Sequence, residues 1–209
     1  MKHNIAHRID KIQPSFTLQM ATIAAELRAK GESVINFSVG EPDFNTPENI
    51  INAGKKAMDQ GHTKYTAGPG MIEFRQAICK KLKLENGLDY STDEILVSNG
   101  EKQSLSTACQ ALFGQGDEVI VFQPYWVSFP EFIRLADAEP LLVNTLPEKN
   151  FEPNFEELLS KDLKAVRGVI LNSPSNPTGG VWGEEALIKM LKIAKKHNWI
   201  VISDECYER

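Results

Sequence analysis

Four short strings carry residue types that suit one kind of ligand: S-N-G-E-K at 98–102, Q-P-Y-W at 123–126, N-S-P-S-N-P-T-G at 172–179 and D-E-C-Y at 204–207. Gly100, Glu101 and Lys102 open a helix. Its first N–H groups lack intrahelical acceptors, so together with the positive dipole end they attract a phosphate. A plain turn capped by Ser98 or Asn99 reads the same residues without a ligand. Trp126 follows Pro124 and Tyr125 at the end of an apolar run, which places an indole where it can stack on an aromatic ring. Core packing is the commoner fate of a tryptophan, and Trp182 and Trp199, without such a setting, read as packing residues.

Asn176 sits between two X-Pro bonds and two glycines, in a loop rigid enough to aim an amide at a ring oxygen and a carboxylate. A structural turn explains the Pro and Gly content but not the repeated polar pattern, and one of the X-Pro bonds is a candidate for the cis form. Asp204 leaves the apolar run I-V-I-S, where an unpaired carboxylate is costly, so a cationic partner is expected. A protonated pyridine nitrogen would satisfy it, and the acid would in turn keep that nitrogen charged. Tyr207, three residues on, reaches toward the same ring's phenolic oxygen. A helix-capping aspartate followed by a packed tyrosine accounts equally well for these two residues taken alone. Together the four strings describe a pocket for a flat, anionic, nitrogen-containing ring.

The elements that must position these strings are legible as a rhythm. The β-branched runs E-I-L-V-S, E-V-I-V-F, P-L-L-V-N, G-V-I-L-N and I-V-I-S-D alternate from residue 94 onward with helix-period stretches such as 101–113 and 184–197. Such alternation predicts an α/β fold, a mostly parallel sheet with helices on both faces. Ligands of open α/β sheets bind beyond the carboxyl ends of the strands, and each of the four strings directly follows an apolar run. Within 184–197, Leu187, Met190, Leu191 and Ala194 share one face while Lys189, Lys192, Lys195 and Lys196 fall largely on the other, a solvated one. Upstream, a helix over 19–30 closed by Gly31 precedes a short strand at 34–40 and a turn-rich segment. Helices at 47–60 and 71–84 then flank a Gly- and Pro-containing loop at 61–70.

Composition narrows the partner. The 209 residues are 42% hydrophobic and 24% charged, a globular profile, and the net charge of −5 comes with interspersed signs. No basic stripe invites nucleic acid or anionic membrane, so a small molecule is the expected partner. Cys79, Cys109 and Cys206 are well separated, which argues against a disulfide framework or a metal site and for a reducing compartment. The first residues lack a secretory pattern, and no apolar run approaches a membrane span, so the expected location is cytoplasmic.

The chain resembles the class I, fold-type I pyridoxal-phosphate-dependent aminotransferases, most closely their bacterial aspartate aminotransferase branch. The resemblance rests on V-G-E-P-D-F at 39–44, K-Y-T-A-G-P-G at 64–70, Y-W-V-S at 125–128, N-S-P-S-N-P-T-G at 172–179 and S-D-E-C-Y at 203–207. It implies that Gly40 binds the substrate carboxylate through its backbone, with Trp126 and Asn176 also lining the substrate. Gly100, Glu101 and Lys102 would hold the phosphate of pyridoxal 5'-phosphate, and Trp126 would stack on the ring. Asn176 and Tyr207 would hydrogen-bond the ring oxygen, Asp204 would pair with the ring nitrogen, and Tyr65 would reach the phosphate of the neighbouring subunit of a homodimer. Asp204 and Tyr207 are then the residues nearest the chemistry.

The resemblance also implies an arm at 1–14, the start of a smaller α+β domain at 15–45, and the large cofactor domain at 46–209. The implied reaction is transamination between an amino acid and a 2-oxo acid, best aspartate with 2-oxoglutarate. The family's Schiff-base lysine follows Asp-x-x-Tyr in a Ser-x-x-Lys context absent from these 209 residues, as is the family's carboxylate-gripping arginine. The 209 residues alone are therefore expected to be inactive, and Lys102 is expected to point away from the site. Two rival readings stand beside this one: a C–S lyase or decarboxylase on the same scaffold, and a non-enzymatic sensor domain, which would ordinarily carry a basic DNA-binding segment.

Overall fold

The computed structural model describes residues 5–14, 16–35, 37, 40 and 42–208, with Phe16 and Thr17 described by backbone alone. Part of V-G-E-P-D-F (Val39 and Glu41) and part of the strand expected at 34–40 (Asn36, Ser38 and Val39) lie outside these residues. The described helices are α1 (His7–Asp10), α2 (Phe16–Ala29), α3 (Glu48–Asp59), α4 (Ile72–Lys81), α5 (Glu101–Leu112), α6 (Phe129–Leu135), α7 (Phe155–Ser160) and α8 (Glu184–His197). The strands are β1 (Glu118–Gln123), β2 (Glu139–Leu146), β3 (Glu152–Pro153), β4 (Val166–Asn172) and β5 (Ile200–Asp204). None of these helices is long and apolar enough to cross a membrane.

Internal contacts divide the chain into two units, one of 1–16 with 100–209 and one of 17–99. The first holds the sheet, ordered β3-β2-β1-β4-β5. β1 pairs in parallel with β2 and β4, β4 pairs in parallel with β5, and only the two-residue β3 runs antiparallel, against β2. The chain winds from β1 outward to β2, then crosses to β4 on the other side of β1. The carboxyl ends of β1 and β4 therefore flank a topological switch point, the position where such sheets open a crevice.

Both faces of the sheet are covered, which explains why its strands read as continuous apolar runs rather than alternating ones. Ile120, Phe122, Val169 and Leu171 face one layer, where α8 adds Met190 and Ala194 and where Leu158, Trp182 and Trp199 are buried. Val119, Val121 and Ile170 face the other layer, with Leu105 and Cys109 of α5 and Phe129, Phe132 and Ile133 of α6. Trp182 and Trp199 are core residues, as their setting predicted. Gly168 is required by this packing: a Cβ there would lie 2.6 Å from the Phe113 ring. α8 spans the predicted residues, and its four lysines are exposed. Leu191, assigned to the apolar face, is instead 48% exposed, because the face that packs on the sheet is narrower and centres on Ala186, Met190 and Ala194.

Residues 5–14 lie on this same unit. Arg8 reaches Asp137 at 3.4 Å, Lys11 pairs with Glu139, and the backbone N–H of Gln13 donates to Glu131 at 2.9 Å.

The second unit is helical among its described residues. α2 ends before Gly31, whose φ of +85° supplies the left-handed stop. Buried Arg75 braces the unit by donating to the carbonyls of Thr92 at 2.8 Å and Gly70 at 3.3 Å. Two expected strands are not formed here. Residues 95–98 are in no strand, and their described tie is the Val97 N–H to the Pro69 carbonyl at 3.0 Å. Val34, Ile35, Phe37 and Gly40 carry no strand either. A β-branched run becomes a strand only where a neighbour offers a ladder, and propensity alone does not provide one.

Candidate active site

The carboxyl edge of the sheet gathers three of the four strings, and α5 brings the fourth. Asp204 is the last residue of β5, directly opposite Asn172 at the end of β4. Strand pairing thus fixes the two loops that follow. Asn172 donates its amide to the Asp204 carbonyl at 3.4 Å and accepts the Asn176 backbone N–H at 2.8 Å, which shapes the loop between them. Both X-Pro bonds of that loop are cis, at Pro174 and at Pro177. The loop delivers the Asn176 side chain to the Tyr207 hydroxyl, to which it donates at 3.2 Å. A side-chain amide and a phenol are thereby set together, as a shared hold on one oxygen requires.

Asp204 is 6% exposed. Its carboxylate accepts the Cys206 backbone N–H at 3.1 Å, an Asx-type turn after the strand. Among the described residues no lysine, arginine or histidine pairs with it. An acid this buried with a single backbone donor retains the capacity to bind a cation.

Trp126 follows β1 and is half-buried. It packs edge-on against Phe129 at 5.4 Å and Phe132 at 5.8 Å, so both readings of this residue hold in part: it is anchored in the core and still presents ring surface. The Lys102 ammonium lies over the indole, 5.5 Å from its centroid. Lys102 was expected to point away from the site, and it does not. The first turn of α5 projects long side chains back over its own N-terminus, and an aromatic face is a favourable seat for a cation there.

α5 starts at Glu101 after Gly100, whose φ of +80° turns the chain into the helix. No side chain caps this start, so the turn capped by Ser98 or Asn99 is not what forms. An uncapped helix start of this length is a ready acceptor of negative charge. The sequence did not reveal where the Glu101 side chain goes. Its carboxyl hydrogen-bonds the Asp204 carboxyl and interacts with the Cys206 thiol. Burial, then the hydrogen bond to Asp204, then that group's negative charge push Glu101 up to about 7, against a smaller opposing pull from Cys206. The same contact with Glu101, and burial, raise the Cys206 thiol.

Gly40 and Tyr65 belong to the other unit. Gly40 is exposed, and Tyr65 is fully exposed on the loop between α3 and α4. That loop borders a cleft of about 440 Å³ lined by His62, Lys64, Tyr65, Met71 and Arg75 among others.

Known proteins match this arrangement along the chain. The family model for aminotransferase class I and II matches residues 32–209. The aspartate aminotransferase of Bacillus sp. (strain YM-2) is 43% identical over all 209 residues, which correspond to 53% of that protein. The aspartate/prephenate aminotransferase of Thermus thermophilus is 40% identical over 204 residues, covering 98% of this chain and 53% of its own. Among solved structures, a double mutant of Thermus thermophilus aspartate aminotransferase superposes with a TM-score of 0.92 at 39% identity, over 99% of this chain and 54% of that one. An alanine aminotransferase from Pyrococcus furiosus reaches the same TM-score at 28% identity, over 98% and 52%. The chain spans about half the length of the proteins it matches. With the parallel sheet, the switch-point crevice and the family model all in agreement, the chain belongs to the class I and II aminotransferases.

Proposed function

We propose that the protein bearing this chain is a pyridoxal-phosphate-dependent aminotransferase that moves an amino group between an amino acid and a 2-oxo acid, with aspartate and 2-oxoglutarate as the pair. The observation that carries this reading is Asp204: a carboxylate 6% exposed at the end of β5, without a cation, beside the Asn176–Tyr207 pair at 3.2 Å. A pyridine ring with a protonated nitrogen, a phenolic oxygen and a phosphate fits that donor set. When bound, such a ring supplies an electron sink for the substrate's α-carbon.

The chain's own residues do the rest. Asp204 holds a proton at the ring nitrogen. Asn176 and Tyr207 hold the phenolic oxygen from one side and fix the ring's rotation. Trp126 offers its face for stacking, which confines the ring to one plane. The backbone N–H groups of Gly100, Glu101 and Lys102 receive the phosphate at the start of α5. Gly40 offers its N–H to the substrate carboxylate. Tyr65 serves the phosphate of the partner site in a homodimer, and the protein works in the cytoplasm. In domain terms, 1–14 is an arm, 15–45 opens the small domain and 46–209 belongs to the large one. Aspartate as substrate is supported by the names of the relatives, several of which are aspartate aminotransferases.

Asp204→Asn tests the reading in the full-length protein, because a neutral amide cannot hold the ring nitrogen protonated. Turnover of aspartate with 2-oxoglutarate should fall by on the order of a hundredfold or more, with the bound-cofactor absorbance largely retained. A variant that turns over near the wild-type rate would show Asp204 to be misassigned.

A further inference from the structure

The reading above uses the backbone of Glu101 and leaves its carboxyl unemployed, yet that carboxyl touches the one buried acid of the site. Glu101 heads a twelve-residue helix, Asp204 ends a strand, and their side chains meet in a carboxyl–carboxylate hydrogen bond. A hydrogen bond between two such acids requires a proton on one of them. Asp204 is more than nine-tenths buried and ordered by Cys206, while Glu101 is only half-buried at a helix start, so Glu101 is the partner that can exchange with solvent. We infer that Glu101 is a positioning residue acting through Asp204: its proton tethers the Asp204 carboxylate, and loss of that proton strengthens the attraction of the pair for a protonated ring nitrogen. The inference rests on the proposed placement of the ring nitrogen at Asp204.

The titratable groups that bear on Glu101 are Asp204 and Cys206, both from the end of β5. On its own helix the neighbouring cation, Lys102, is engaged over Trp126. With its proton, the Glu101–Asp204 pair carries one negative charge. Without it the pair carries two, and the proton has gone to solvent. Glu101 loses that proton at about pH 7, inside the working range of most enzymes, so the change is accessible in solution. One charge added a few ångströms from a ring cation, in a partly dry site, changes affinity by on the order of tenfold.

Pyridoxamine 5'-phosphate is a suitable probe, because it has no aldehyde to condense with lysines. Its dissociation constant is measured from pH 6 to 8.5 for the full-length wild-type protein and for Glu101→Gln, which keeps a donor to Asp204 and cannot ionise. The ratio of the two constants at each pH cancels the ligand's own titrations. The ratio, variant over wild type, should lie near one at pH 6 and rise about tenfold by pH 8.5. The same ratio measured in an Asp204→Asn background should stay flat, which separates action through Asp204 from a general fold effect. Glu101→Ala gives the same comparison should the glutamine variant not fold.

A flat ratio with Asp204 present would overturn the inference and leave the cofactor reading intact. A ratio that falls with pH would overturn it too, by placing Glu101 against the phosphate instead of the ring nitrogen. A rise that survives in the Asp204→Asn background would exclude Asp204 as the intermediary. Failure of the wild-type protein to bind the probe at any pH would overturn the proposed function, and this inference with it.

Discussion

Glu101 links the acidity of the site to the stability of the fold, and the sign follows from the direction of its shift. A carboxyl raised from 4.5 to about 7 keeps a proton in the folded state that the unfolded chain has already lost between those values. Stability contributed by this group is therefore full below pH 4.5, declines as pH rises to about 7, and stays at the lower level above that. Glu101→Gln removes the penalty, so its melting temperature should exceed wild type at pH 8 and match it near pH 4.5. Calorimetry at the two pH values checks this, and an equal offset at both would show that the carboxyl is not held up by its neighbours. Partial exposure keeps the effect small. Residue types announced this site well: an acid after an apolar strand, an aromatic after another, and an asparagine in a proline-bound loop. The direction of the Glu101 and Lys102 side chains was not legible, because it depends on Asp204 and Trp126, more than a hundred and more than twenty residues away in the chain, arriving beside them.

At the scale of elements, the close fit of β4 to the chain end of α5 makes a test of the packing. Gly168→Ala puts a Cβ 2.6 Å from the Phe113 ring and 3.1 Å from the Ile200 carbonyl, so either the ring or the β4–β5 ladder must shift. The expected loss is about 1–3 kcal/mol in urea unfolding, with part regained when Phe113→Leu is added. A Gly168→Ala variant as stable as wild type would mean that the ring has room to rotate away. Strands buried on both faces, such as V-I-V-F and G-V-I-L-N, were legible from apolar content, and α8 from its 3.6-residue period. α6 was not legible: its seven residues include four buried ones, Phe129, Pro130, Phe132 and Ile133, and so short and apolar a stretch has no period to read. β3 escaped for a similar reason, since two residues pairing with Thr145 and Leu146 leave no pattern. The run E-I-L-V-S misled in the opposite sense, with strand-like residues and no partner strand.

At the scale of the molecule, the proposed dimer makes Tyr65 testable through mixing. Full-length Tyr65→Phe and Asp204→Ala proteins, each weakened alone, are dissociated and recombined into hybrid dimers. If Tyr65 serves the opposite subunit, one site of each hybrid carries both lesions and the other carries none, so activity should rise on mixing. If Tyr65 serves its own subunit, every site keeps one lesion, and hybrids verified by mass would show no gain. The first unit is also discontinuous along the chain, with 17–99 intervening between its two parts. That has a consequence for synthesis. Arg8 leaves the ribosome 129 residues ahead of Asp137, its docking partner, and Lys11 leaves 128 ahead of Glu139. At ordinary elongation rates the leading segment spends roughly ten seconds without the surface it settles on. The nascent protein thus closes its sheet unit last to first, with the earliest-made residues fastened only after α6 and β2 exist to receive them.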